Sequence, residues 1–398
     1  MAEINPVILR SVYGRHPARR MEFDELYAGL EREVAAVNVA RSAEKGSGLE
    51  VFVYTNQCVY DGNWNLFSLI ARGLVVDRLA RRVVATPFPK FFNYAEVAAT
   101  GAVPEGMPFE VTEKVDGSLG IVFHHAGAWR VATKGALASE QAVWAGDYLN
   151  RQCSTAGLRP GVTYLCEIVY PGSRVVVRYG FDGLVLLGAY DEKGHELDRP
   201  QLTAAAGAAG MRMVEPHACN SLDELAAAAR SLGRDREGFV VRFADGFRMK
   251  VKGAEYLRVH RLISRCGPLA IWESMMAGDD LAEMRRGLPE EMWGDFDAIR
   301  ALLEARFEQL VAEVTEAAEG VRHLSDKELG LLLQRQGHGL PDLARDFVFA
   351  CRKGDFRGAA GRRGKVRDGL FRRMRPDGNR LPGYEPSPVM KRFGEEAL

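Results

Sequence analysis

Up to about residue 258 the apolar positions alternate with polar ones or gather in short β-branched runs bounded by turn residues, the pattern of strands. The runs are Leu49 to Tyr54, Gly73 to Asp77, Phe109 to Lys114, Leu119 to His124, Tyr164 to Tyr170, Leu184 to Tyr190 and Phe239 to Phe243. Two hairpins are legible. Ala126-Gly127 joins Ile121-Val122-Phe123 to Trp129-Arg130-Val131, and Asp245-Gly246 joins the run from Phe239 to the one from Phe247 through Lys252. Helical spacing is interspersed near Phe23 to Ala40 and Ser221 to Leu232, so the predicted class is α+β with antiparallel sheets.

After about Leu262 the strand signals stop. Leu303, Phe307, Leu310, Val311 and Val314 recur at three- and four-residue spacing with charged residues elsewhere on the wheel, and Ser325-Asp326-Lys327-Glu328 has the form of a capping box. The pattern predicts two domains, residues 1–260 and an all-helical region 261–398 that ends in an irregular Pro/Gly-rich stretch from Pro376 to Pro388.

Composition changes this picture little. The 53 Lys and Arg equal the 53 Asp and Glu, so a polyanion-binding surface has to be local. Cys351 to Leu398 carries thirteen Lys/Arg against six Asp/Glu, and Arg362 to Arg375 is the candidate for contacts with RNA phosphates. The six cysteines have no C-x-x-C spacing, which argues against a zinc site and for a reducing compartment. With no signal-peptide pattern and no apolar run near the roughly 20 residues that span a bilayer, the expectation is a cytoplasmic protein with no membrane partner. The histidines, His124-His125 included, show no metal-ligand spacing.

No glycine-rich phosphate loop is present, so phosphates must be held by side chains. The candidate chemistry sits in Lys114-Val115-Asp116-Gly117-Ser118 and the charged blocks around it. Upstream lie Arg72-Gly73-Leu74-Val75-Val76-Asp77 and Pro87-Phe88-Pro89-Lys90-Phe91-Phe92-Asn93; downstream lie Tyr164-Leu165-Cys166-Glu167, Glu237-Gly238-Phe239-Val240-Val241 and Lys250-Val251-Lys252. A lysine amine attacks phosphorus only when neutral, so Lys114 would need its pKa lowered by burial or by the cations Arg72, Lys90, Lys250 and Lys252. Treated as a two-residue turn, Asp245-Gly246 pairs Lys250 with Val241 and Lys252 with Phe239. Alternation then puts Glu237, Lys250 and Lys252 on one face, a carboxylate beside two lysines as a metal-nucleotide site needs.

This ordered series, over about Tyr54 to Lys252, resembles the covalent nucleotidyltransferase superfamily of DNA ligases, RNA ligases and mRNA capping enzymes. With Ser118 where DNA ligases and capping enzymes usually carry arginine, it is most similar to the T4 RNA ligase 1-like family of ATP-dependent RNA ligases. The resemblance implies an antiparallel-sheet, ATP-grasp-like nucleotidyltransferase domain followed by a helical domain that helps select RNA. It implies an enzyme that uses ATP and Mg²⁺ or Mn²⁺ to carry AMP on Lys114 and to join 3′-OH and 5′-phosphate ends, in RNA repair with tRNA among the substrates. End healing would come from a separate kinase and phosphatase. Roles follow on the matching positions: Lys250 and Lys252 on the α-phosphate and leaving group, and Glu237 on the metal. Glu113 would help read the base through its backbone, Asp116 would contact the ribose or orient the site, and Glu167 would hold the ribose or a metal-bound water, while Tyr54, Arg72 and Lys90 grip the triphosphate or ribose and Gly117 and Lys134 join the nucleotide-binding set. Asp279 and Asp280 would serve a second metal. A DNA ligase or GTP-using capping enzyme is the rival within the class, and a non-catalytic RNA-binding scaffold the rival outside it.

Overall fold

The computed structural model describes residues 5–171, 176–233, 235–258, 266–288, 292–335, 339–352, 364–378, 380–387 and 390. It divides into two compact units, of which the described parts are 5–258 and 266–390.

The first unit is built on three sheets. Strands β1 (Val39–Ala43), β2 (Leu49–Tyr54), β3 (Arg72–Asp77) and β4 (Arg82–Ala85) form an antiparallel meander. The second sheet has β5 (Phe92–Asn93), β6 (Phe109–Lys114), β12 (Gly238–Phe243) and β13 (Arg248–Lys252) in the order β5-β13-β12-β6. The third has β7 (Ser118–His125), β8 (Ala128–Thr133), β9 (Thr163–Val169), β10 (Gly183–Tyr190) and β11 (Arg212–Met213) in the order β11-β10-β9-β7-β8. All pairings are antiparallel except two short ones, β5 with β13 and β10 with β11.

Alternation along β2 and β3 sends side chains into two cores. Leu49, Val51 and Val75 pack with Ile121, Phe123 and Leu165 of the third sheet, while Phe52, Leu74 and Val76 pack with Val111, Phe239, Val241 and Met249 of the second. The outer face of the third sheet is covered by the helices Glu140–Gln152 and Arg199–Ala209. β9 is the central strand of that sheet and is buried along its whole length, which is why it reads as an apolar run interrupted by one carboxylate, Glu167.

The β7–β8 hairpin turns at Ala126 (φ 50°) and Gly127 (φ 80°), as a two-residue loop requires. Two expectations are corrected. The helix from Phe23 ends at Ala35 and β1 begins at Val39, because the chain reverses through Val37 at φ 61°. The β12–β13 connection has three residues: Phe243 and Phe247 close the ladder and Gly246, at φ 85°, takes the left-handed position. The register therefore shifts by one, pairing Lys250 with Val240 and Lys252 with Gly238.

The second unit is helical. Trp293–Gly320 is its longest element, and the predicted apolar stripe is its buried side: Leu303, Leu310 and Val314 are inaccessible and Phe307 lies against Phe371. Ser325 and Glu328 form the capping box that starts Asp326–Leu333. The irregular end is pinned, since buried Asp295 accepts from Tyr384 Oη at 2.7 Å and from the Ser387 amide at 2.9 Å. Among the described residues no helix is long and apolar enough to cross a membrane.

Candidate active site

The open face of the second sheet and the inner end of the third enclose a cavity of about 710 Å³. Lys114 ends β6 and pairs with Gly238, so its side chain shares the cavity face with Lys250 and Lys252 of β13. Strict alternation would put Glu237 on the opposite face. Gly238 prevents this. Its φ of 145° breaks the pleat and returns Glu237 to the cavity side, and a Cβ at this position would stand 2.1 Å from the Val251 carbonyl oxygen. The juxtaposition expected from a two-residue turn thus exists for a different reason: register and kink each differ from that picture, and their effects cancel.

Glu237 is buried and bridges two lysines. Lys114 Nζ donates to Oε2 at 2.6 Å, and Lys252 Nζ lies 3.0 Å from Oε1. Burial alone would lower the Lys114 pKa, but Glu237, Glu167 and Asp116 outweigh it and raise it above the usual lysine value. These carboxylates therefore favour the protonated Lys114, contrary to the expectation of a depressed amine. It is Lys250 that is lowered: burial, Lys90, Lys252 and Lys114 together hold it well below its ordinary value. Burial pushes the Glu167 carboxyl up to about 8 against the opposing pull of Lys114.

The pentapeptide turn is fixed from below. Gly117 crosses β9 so closely that a Cβ would lie 2.5 Å from the Ile168 carbonyl oxygen. Asp116 is buried and accepts from the Val176 and Val177 amides at 2.8 and 2.7 Å and from Tyr256 Oη at 2.9 Å, while its own amide donates to Tyr179 Oη at 2.8 Å. These bonds tie Asp116 into the turn, the orienting alternative of the two expected for it. The Glu113 amide is committed to the Glu215 carbonyl at 3.0 Å, and its carboxylate pairs with Arg236.

On another wall Arg72, Lys90 and Lys134 converge around Tyr54. The Lys90 and Lys134 ammonium groups each lie 5.0 Å from the centre of the Tyr54 ring, and Arg72 stands over Phe91 at 5.1 Å. Burial would raise the Tyr54 phenol, but Lys90, Lys134 and Arg72 bring it down to about 7. Among the described residues none of Arg72, Lys90, Lys134 and Lys250 forms an ion pair with a carboxylate, and Arg72 Nη1 is buried with no hydrogen-bond partner. A half-buried group of cations with no carboxylate partners among the described residues suits an anion of high charge.

Residues 70–256 match the family model described as RNA ligase. Over this segment the chain is similar to RNA ligases. A search of curated proteins finds no match for the chain. Among solved structures, the chain resembles a Naegleria gruberi RNA ligase variant with ATP and Mn (18% identity, 43% of this chain and 56% of that one, TM-score 0.37). A second Naegleria gruberi variant, also with ATP and Mn, gives 22% identity, 39% and 53%, and TM-score 0.33. An archaeal ATP-dependent RNA ligase gives 14% identity, 72% and 83%, and TM-score 0.48. The chain thus spans little more than half the length of the Naegleria ligases it matches.

The first unit brings together in one cavity Lys114, Glu237, Lys250, Lys252, Tyr54, Arg72, Lys90, Lys134, Glu113, Asp116, Gly117 and Glu167. Asp279 and Asp280 belong to the second unit, where Asp280 accepts from the Ala282 and Glu283 amides at 2.8 and 3.0 Å as a helix cap. The C-terminal arginines are also engaged within their unit. Arg367 donates to the Met275 carbonyl, Arg373 pairs with Asp346 and Arg375 lies over Trp272; Arg362 and Arg363 fall outside the described residues. The sequence reading missed Tyr179, Tyr256 and Trp64. Isolated aromatics give no signal of their own, although the pair Phe91-Phe92 beside Lys90 marks that an aromatic floor lies there.

Proposed function

We propose that the protein is an ATP-dependent RNA ligase that carries AMP on Lys114. The observation that carries the reading is one cavity holding a lysine hydrogen-bonded to a glutamate, next to cations that form no ion pair with a carboxylate among the described residues.

In the first step Lys114 Nζ bonds to the α-phosphorus of ATP, the α–β phosphoanhydride bond breaks and pyrophosphate leaves. The Lys114 proton must depart beforehand. Glu237, 2.6 Å away, is the acceptor within reach. Arg72, Lys90 and Lys134 neutralise the triphosphate and hold the departing pyrophosphate in line. In the second step AMP passes to the 5′-phosphate of an RNA end. In the third a 3′-hydroxyl attacks that activated phosphate and AMP leaves. A divalent cation fits this donor set, because the Glu167 carboxyl sits where burial resists its ionisation unless positive charge joins it; held by Glu237 and Glu167, Mg²⁺ or Mn²⁺ would neutralise phosphate charge. Repair of broken RNA, tRNA included, with ends prepared by a separate kinase and phosphatase, is the physiological setting we infer.

The test uses α-labelled ATP or GTP with Mg²⁺, the intact protein and Lys114→Ala. Label from ATP that is lost in Lys114→Ala, and that moves onto 5′-phosphorylated RNA in preference to DNA, supports the reading. Label from GTP alone, or label surviving the substitution, defeats it.

A further inference from the structure

We propose that Trp64, a residue outside the cavity lining, is a positioning residue that sets Lys90 for the triphosphate; this rests on the ligase reading above. Lys90 Nζ stands in a box of three aromatic rings, 5.0 Å from the Tyr54 centroid, 5.3 Å from Trp64 and 5.4 Å from Phe92. The rings brace one another edge to face, Tyr54 to Trp64 at 5.2 Å and Trp64 to Phe92 at 5.3 Å, so Trp64 is the shared member of both pairs.

The box is held from three independent elements. Tyr54 ends β2 and Phe92 begins β5. Trp64 comes from the link between the helices Asn56–Asp61 and Leu66–Ile70, fixed by the left-handed Gly62 on one side and by the Asn65–Ser68 capping box on the other. The Lys90 backbone is fixed as well, its amide donating to the Leu69 carbonyl at 2.7 Å.

An ammonium on a four-carbon stem has many rotamers, and ordering it on each turnover would cost binding free energy. A cation facing several π-systems is held without neutralisation, as a carboxylate partner would not allow. The aromatic box thus holds the Lys90 head group in one place, aimed into the cavity that Lys90 itself lines. Because the triphosphate is present only in the first step, removal of the box should weaken self-adenylylation and spare the sealing step, which uses an already adenylated end.

The experiment compares wild type, Trp64→Leu and Trp64→Phe in two assays on the full chain. One is single-turnover labelling of Lys114 across ATP concentrations; the other is sealing of chemically pre-adenylated RNA without ATP. The expected result is a KM for ATP raised on the order of 5- to 30-fold in Trp64→Leu with the limiting rate held, partial restoration in Trp64→Phe, and a loss on pre-adenylated RNA smaller by that factor. An unchanged KM, or equal losses in both assays, overturns the proposal; if Trp64→Leu does not fold, Trp64→Phe is judged by the same comparison. Failure of the wild type itself to take label from ATP would remove the ligase reading, an outcome distinct from normal labelling that ignores Trp64.

Discussion

Glu167 should make the resting protein less stable as pH rises, and replacing it should reverse that trend. The carboxyl is buried on the central strand β9 and its pKa moves from 4.5 to about 8. Between those values the folded protein holds a proton that the unfolded chain has released, so stability falls with pH through that window and levels off above it. At roughly 1.4 kcal/mol per decade the full effect is on the order of 5 kcal/mol, a large share of the stability of an ordinary domain. Glu167→Gln is nearly isosteric with the protonated acid and carries no such dependence. Denaturant unfolding of both proteins from pH 5 to pH 9 should give near-equal stabilities at the acid end and a Glu167→Gln advantage of several kcal/mol at the alkaline end, alongside lost adenylylation. A difference independent of pH, or one that shrinks as pH rises, would refute the reasoning. Saturating ATP and Mg²⁺ should close the gap, since positive charge beside Glu167 stabilises its ionised form.

Other consequences follow from the same geometry. Glu237→Gln removes the largest influence holding the Lys114 proton, so an amine-directed reagent should modify Lys114 at lower pH than in the wild type, read by mass spectrometry; unchanged or higher pH dependence would contradict the pairing. Gly238→Ala places a methyl into the Val251 backbone at a φ of 145°, and should destabilise the protein by about 3 kcal/mol or more while abolishing adenylylation; a melting curve like that of the wild type would show that β13 can give way. Ultraviolet titration should reveal one tyrosine ionising near pH 7 in place of the ordinary 10.0, and Tyr54→Phe should delete that transition.

The sequence by itself determined β2, β3, β6 to β10, β12 and β13, because each is a short segment whose period-two pattern must bury one face or both, and a buried apolar run has few alternatives; β1, β4, β5 and β11, short or mostly exposed, carry no such pattern. It also determined the β7–β8 turn, where Ala126-Gly127 leaves only one compact loop, and the capping box at Ser325, where the bonds run between residues three apart. These are local constraints. The list of charged residues around Lys114 was legible in the same way, as residue types in order along the chain. Their electrostatic balance was not. Whether Lys114 is held charged or neutral depends on which of Glu237, Lys250 and Lys252 comes nearest, and that is fixed by a one-residue register and by the φ of Gly238. A three-residue loop and a two-residue loop differ little in sequence, yet they exchange the faces of a strand. The work assigned to Asp116, bound by amides 60 and 61 residues away and by a tyrosine 140 residues away, likewise exists only once the chain has closed. The aromatic box around Lys90 is the same kind of object: Tyr54, Trp64 and Phe92 share no spacing, and only the packing of β2 and β5 against the loop between two short helices brings their rings to one ammonium.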